Sequence, residues 1–423
     1  MNDPANHSRR DRSGFRILLL MWLMYGGYYV NRLNLAPVIP LIMADLKLSH
    51  AQVGLVSASF FAFYAAFQFP AGFLSDLWGP KKLITFGGAI AAAANLLFAG
   101  GSGILGLIGC QGLNGFGQAG GFGPSVKLVN SWFPETQRAR VLGLYVTSVS
   151  VFTLITYAAA GYVGRAFGWR VVFWSAPIVM GVLLLLFWFF VSDHPGADGR
   201  PIRSISSGAD GRHFSRKRDR IRTLVRHRDV LLSCGGFFCL SYIAYCILVW
   251  STSYLHETHD LAVDRAALMA GVYPAIGIFA RPLGGYLSDV TFGGRRRPLM
   301  LLGFACIALA ALSLSGVSRI EHAILLIGVI GFFEQLIATQ FFALELDLLP
   351  PELAGGGAGL IEAVGHMGSM TAMFLTGLMV DLSGSYRPVF WVLSTLAAVG
   401  FILVGSIRGD KALTDHHRGP SRP

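Results

Sequence analysis

The sequence predicts an all-α membrane protein of twelve transmembrane helices, arranged as two parallel-repeat six-helix bundles with both termini cytoplasmic. Three observations carry that expectation: the apolar composition, the number and length of the apolar stretches, and a repeat that relates the two halves. Of the 423 residues, 53% are hydrophobic and only 13% charged, about half the charged share of an average soluble domain. The mean hydropathy is +0.56. One water-soluble core of this size could not hide that much apolar surface.

A membrane-spanning helix needs about 20 mostly apolar residues. Such stretches fall at 16–43, 52–76, 82–101, 104–131, 139–164, 170–191, 230–255, 266–290, 298–317, 322–346, 356–381 and 387–407. In lipid the backbone must satisfy its own hydrogen bonds, so each reads as a helix. The first stretch follows Arg9, Arg10 and Arg12. It is too long for a cleaved signal peptide and lacks a small-residue cleavage site. Residues 192–229 break the pattern with ten Lys/Arg, five Asp and two Pro. They read as a basic linker between an N-terminal half (1–191) and a C-terminal half (230–423), with a surface helix near 217–228.

The charge distribution gives the orientation. With the N-terminus inside, the inner segments carry 25 of the 34 Lys/Arg and the outer loops six, namely Lys47, Arg165, Arg170, Arg265, Arg319 and Arg387. Positive charge stays on the cytoplasmic side. This also accounts for the net charge of +11 without a nucleic-acid partner, for which no base-reading motif is present. The basic loops meet the lipid bilayer instead. Cys110, Cys234, Cys239, Cys246 and Cys306 lie in apolar runs and read as packing residues rather than disulfides or metal ligands.

The repeat is short but recurs. Gly72-Phe-Leu-Ser-Asp76 in the first half returns as Gly285-Tyr-Leu-Ser-Asp289 in the second. Pro134-Glu135 returns as Pro351-Glu352, and Arg170-x-x-Phe173-Trp174 as Arg387-x-x-Phe390-Trp391. The last two pairs share one offset, and the first pair nearly matches it. Two halves in the same orientation are the parallel repeat of transporters that alternate access to a midplane site.

The three basic residues left over are Arg32, Lys127 and Arg281. A charge near the bilayer centre is costly and marks an interior with a function. Arg32 lies 16 residues after Arg16, about 24 Å along a helix, near the middle of the membrane. A guanidinium can hold a carboxylate or phosphate through two parallel hydrogen bonds, so Arg32 is the candidate anion anchor, with Tyr25 and Tyr28 on its face. The bland alternative is a structural arginine paired with a helix carbonyl or Glu334. Arg281 is a second anion contact or a gate-bonding arginine. Its repeat partner is Gln68. Glu334, and Glu362 with His366 one turn on, are the candidates for proton coupling or else static pairs. Gln68, Gln118, Tyr145, Tyr242, Tyr245 and Trp250 are candidate cavity lining. Asp76 and Asp289 close their helices at the end where the dipole disfavours an anion. Lys81, Lys82 and Arg138 are the expected partners of Asp76, and Arg295 to Arg297 of Asp289, as cytoplasmic gate pairs. Lys127 reads as a residue that snorkels to the cytoplasm.

Gly72-Phe-Leu-Ser-Asp76-Leu-Trp-Gly79-Pro-Lys81-Lys82 resembles the loop signature of major facilitator transporters, departing at Leu77 and Pro80. Tyr28-Tyr-Val-Asn-Arg32-Leu-Asn-Leu-Ala-Pro37 resembles the start of the anion:cation symporters and of the organophosphate:phosphate antiporters. Asn114-Gly115-x-x-Gln118-x-x-Gly121-x-x-Pro124, Trp132-Phe133, Arg138, Trp250-Ser251-x-x-Tyr254-Leu255 and Ala343-Leu344-Glu345-Leu346 are closer to the antiporters. Phe279-Ala-Arg281-Pro-Leu-Gly284-Gly285 is similar to the eighth helix of monocarboxylate, oxalate and nitrate transporters. The departures are specific. Asn31 and Gln118 stand where symporters carry acids, and Ala244 and Val149 where phosphate-ester antiporters carry an arginine and a histidine. The resemblance implies secondary transport of a small organic anion, coupled to protons or to a counter-anion. Rival readings are proton-driven efflux of a neutral or cationic compound, and a receptor on a transporter scaffold. No nucleophile arrangement, phosphate-binding loop or metal cluster points to an enzyme, and no cofactor is expected.

Overall fold

The computed structural model describes residues 4–193, 224, 226–349 and 351–408. The expected helix within 217–228 therefore lies mostly outside the described residues. All regular structure in the described residues is helical. The first half runs α1 (Pro4–Leu33), a 3-10 turn (Ala36–Val38), α2 (Ile39–Leu46), α3 (His50–Trp78), α4 (Pro80–Ala99), α5 (Ile104–Gln118), α6 (Phe122–Trp132), α7 (Glu135–Phe167) and α8 (Trp169–Phe190). The second runs α9 (Arg228–His259), α10 (Val263–Ala270), α11 (Val272–Val290), α12 (Arg296–Leu314), α13 (Ile320–Leu348), α14 (Pro351–Ser383) and α15 (Arg387–Gly405).

These segments fall on the twelve stretches read from the sequence, three of them interrupted. The first stretch breaks after Leu33, because Pro37 and Pro40 have no N–H to continue the ladder. The fourth breaks at 119–121, ahead of Pro124, and the eighth at Gly271. Among the described residues, ten helical stretches are long and apolar enough to cross a membrane. The first and fourth crossings are not among them. The fourth is split into two short helices. In the first, Tyr25, Tyr28, Tyr29, Asn31 and Arg32 dilute the apolar run.

Contacts divide the chain into two compact units, 1–204 with 255–271, and 205–254 with 272–423. The short α10 thus belongs with the first unit, although it follows α9 in the chain. It packs on α7, where a Cβ on Gly161 would fall 2.5 Å from the Ala267 Cβ. Arg165 pairs with Asp264 at 2.7 Å, and His50 with Glu257 at 2.9 Å.

Glycine lets helices approach closely, as membrane packing requires. In the first unit Gly115 of α5 lies against the Phe60 carbonyl of α3, leaving no room for a Cβ. In the second, Gly284 of α11 lies against the Leu336 carbonyl of α13 in the same way. These contacts bring α3 to α5 and α11 to α13, the helix pairs that carry the polar clusters described next.

Candidate functional site

The break after Leu33 places Arg32 in the last turn of α1, where the helix dipole favours a cation. The side chain is 8% exposed. Its Nε donates to Gln118 Oε1 at 2.9 Å, and Nη1 meets the Tyr29 hydroxyl at 3.4 Å. Three rings surround the guanidinium: Tyr29 at 4.7 Å, Tyr64 at 4.8 Å and Phe60 at 5.2 Å to their centroids. Each such contact is worth about 0.5–2 kcal/mol, more when water is excluded. Rings and amide together fix the plane of the guanidinium before any ligand arrives.

Behind Gln118 stands a chain of amides. Gln118 Nε2 donates to Asn114 Oδ1 at 2.9 Å, and Asn114 Nδ2 to the Asn31 carbonyl at 2.8 Å. Asn95 Nδ2 donates to the same carbonyl at 3.2 Å, and Asn34 Nδ2 to Asn95 Oδ1 at 2.8 Å. The amides thus hold the broken end of α1 through its Asn31 carbonyl, and the same chain orients Gln118.

The structure brings Gln118 to Arg32 but turns Tyr28 away from it. The Tyr28 hydroxyl donates to the Ile84 carbonyl at 2.6 Å inside the first unit. Tyr29, one residue on, takes the place on the arginine. Both lie within one turn of Arg32, and the packing of α1 on α4 selects between them. Tyr25 stacks on Tyr145 at 4.7 Å and meets Tyr29 edge-on at 5.3 Å. Gln68 is half-buried on α3, one turn past Tyr64. Tyr29, Phe60 and Tyr64 were not singled out from the sequence, and Asn114 only as the start of the antiporter-like motif. The spacing of Phe60 and Tyr64, one turn apart on the helix after the arginine, is the sign of that pair in the sequence.

The second unit has its own arginine cluster. Arg281 on α11 donates through Nε to Gln335 Oε1 on α13. Gln335 follows Gln118 by the same offset as Pro351 follows Pro134, so the repeat would have found it. Beside it, the Tyr273 hydroxyl donates to Glu334 Oε2 at 2.6 Å, and Glu334 is 5% exposed. Tyr245 is half-buried on α9 and Tyr242 fully buried. Glu362 and His366 are half-buried on α14.

The expected partners of Asp76 need correction. Asp76 pairs with Lys127 of α6 at 2.6 Å, not with Lys81, Lys82 or Arg138, and Lys127 also donates to the Gly72 carbonyl at 2.7 Å. Gly79, with φ of 87°, turns the chain away after Asp76. Beyond that turn the Lys81 backbone N–H meets Asp193 at 2.8 Å, its ammonium lies 4.8 Å from the Trp188 ring, and Lys82 is exposed. Arg138 instead caps the end of α6 through the Asn130 and Phe133 carbonyls, both at 3.0 Å. Asp289 pairs with Arg296, one of the three expected arginines, while Arg295 sits at the N-cap of α12.

Known proteins share this sequence pattern and fold. The Major Facilitator Superfamily matches residues 19–365 and 294–422. A hexuronate transporter of Bacillus subtilis (strain 168) is 26% identical, covering 94% of this chain and 97% of its own. A probable sulfoacetate transporter, SauU, of Cupriavidus necator is also 26% identical, covering 93% of each. Among solved structures, a bacterial homolog of the human lysosomal transporter Spinster, inward-facing and occupied, superposes with a TM-score of 0.77 at 16% identity. That match covers 96% of this chain and 98% of the other.

Proposed function

The chain belongs to the major facilitator superfamily, and on that premise we propose that it moves a small organic anion, a carboxylate or phosphate ester, across the cell membrane by alternating access. It is an integral multi-pass membrane transporter rather than an enzyme. The observation that carries the anion reading is Arg32, buried at a helix end, held at Nε by Gln118 and framed by three aromatic rings. The relatives named for hexuronate and sulfoacetate transport support the same substrate class. The excess of inner Lys and Arg supports cytoplasmic termini.

Transport is driven by a proton gradient or by exchange for a counter-anion. Glu334, hydrogen-bonded to Tyr273 beside Arg281, is the candidate proton group of the second half, ahead of Glu362 and His366. Purified protein in liposomes tests this reading with D-glucuronate, sulfoacetate and glucose 6-phosphate as probes. Saturable uptake of at least one is expected, enhanced by an inward proton gradient or by internal anion. Uptake of neutral or cationic compounds alone, with none of the anions, would overturn it.

A further inference from the structure

Glu345 stands outside the clusters described above. It lies in the last turn of α13, where its own carbonyl accepts the Leu349 N–H that caps the helix. It is 1% exposed, and neither carboxyl oxygen has a hydrogen-bond partner among the described residues. Gly357 of α14 lies so close that a Cβ there would collide with Glu345 Oε2 and with Leu349. Leu349 in turn belongs to an apolar cluster with Leu224, Val230, Cys234 and Ile361.

Among the described residues the charged and titratable neighbours are few. From α9 the group that faces Glu345 is the Cys234 thiol. From α14 it is Gly357, which brings no side chain. On α13 itself, Asp347 turns to Arg296 at 3.6 Å. Among the described residues, an ionised Glu345 would therefore lie in apolar surroundings with no donor. It would also sit at the negative end of the α13 dipole.

We propose that Glu345 is a proton-binding site, loaded while the adjoining ends of α9, α13 and α14 stay packed and emptied when they part. On release the carboxyl O–H bond breaks, its electron pair stays on the carboxylate, and the proton passes to an admitted water. The packed arrangement then holds one proton more than the opened one. Because the packed arrangement keeps the proton, rising pH favours opening, by up to about tenfold per unit. This site is independent of the anion contact at Arg32.

The test uses the full chain with Glu345→Gln, which keeps the shape and removes the proton. Glu345→Leu, also neutral, serves if the amide is not tolerated. In infrared spectra the wild type should show a protonated-carboxyl band component that Glu345→Gln lacks and Glu334→Gln retains. The ratio of wild-type to variant unfolding constants should rise with pH, by up to about tenfold per unit. A purely structural glutamate would shift stability by the same amount at every pH. Parallel pH profiles, or an unchanged carboxyl band in Glu345→Gln, would overturn the proposal.

Discussion

Two arginine clusters, one in each half, are built on the same amide and differ in everything around it. Gln118 and Gln335 are equivalent positions of the repeat, and each accepts the Nε of an arginine. In the first half that arginine comes from the broken end of α1, and Gln118, Tyr29, Phe60 and Tyr64 meet its guanidinium. In the second it comes from α11, and a buried carboxyl bonded to Tyr273 lies alongside. The repeat preserved the holder of the guanidinium and let its source and company change. An arginine oriented by an amide and by rings is suited to hold an anionic ligand through its planar fork. One that shares its place with a carboxyl is suited to respond to that carboxyl's proton.

Substitutions can break this comparison, and the largest effect is expected at Arg32. Arg32→Ala should lower anion uptake on the order of 100-fold, from about 3 kcal/mol of lost charge-assisted hydrogen bonding. Arg32→Lys should not restore it, because an ammonium lacks both the Nε link to Gln118 and the planar fork. Glu334→Gln should leave anion exchange intact but remove accumulation driven by a proton gradient. If exchange falls as far as accumulation, the second cluster is structural. Gln118→Leu should cost about tenfold in apparent affinity by freeing the guanidinium plane, read from the concentration dependence of uptake. Tyr64→Leu should cost about fivefold, from roughly 1 kcal/mol of cation–π contact.

The smallest effect lies at the surface of the first half. Hydrogen bonds from Arg170 and then Trp169 hold the Asp45 carboxyl below the usual range. Their contribution is present above the unfolded carboxylate range, about pH 4, and is lost as pH falls through the lower folded value. Asp45→Asn should therefore lower the melting temperature slightly near neutrality, with the gap to wild type closing only in acid.

Much of the fold was legible because lipid enforces it. Twelve apolar runs, the charge bias and three repeated motifs needed no tertiary information. Arg32 was legible for the same reason, as a charge where lipid penalises one, and Gln118 as an amide in the fourth crossing. What lay hidden depends on packing. Tyr28 and Tyr29 are both within a turn of Arg32, and only the contact with the Ile84 carbonyl removes Tyr28 from the site. Lys127 read as a snorkelling side chain because nothing local showed that Asp76 faces it. The breaks at 34–38 and 119–121 were foreshadowed by Pro37 and Pro124. The consequence, an arginine at a helix end beside an amide at another, emerges only when α1 and α5 meet.

Ligand-induced stabilisation of the purified protein tests the role of Arg32 most directly. The ligand is whichever anion the liposome assay shows to be carried. At about 100 times its dissociation constant it should stabilise the wild type by about 2.7 kcal/mol, seen as a rise in melting temperature. Arg32→Ala should show no such rise at the same concentration, while Arg281→Ala retains most of it. An Arg32→Ala protein stabilised as fully as the wild type would contradict the assignment.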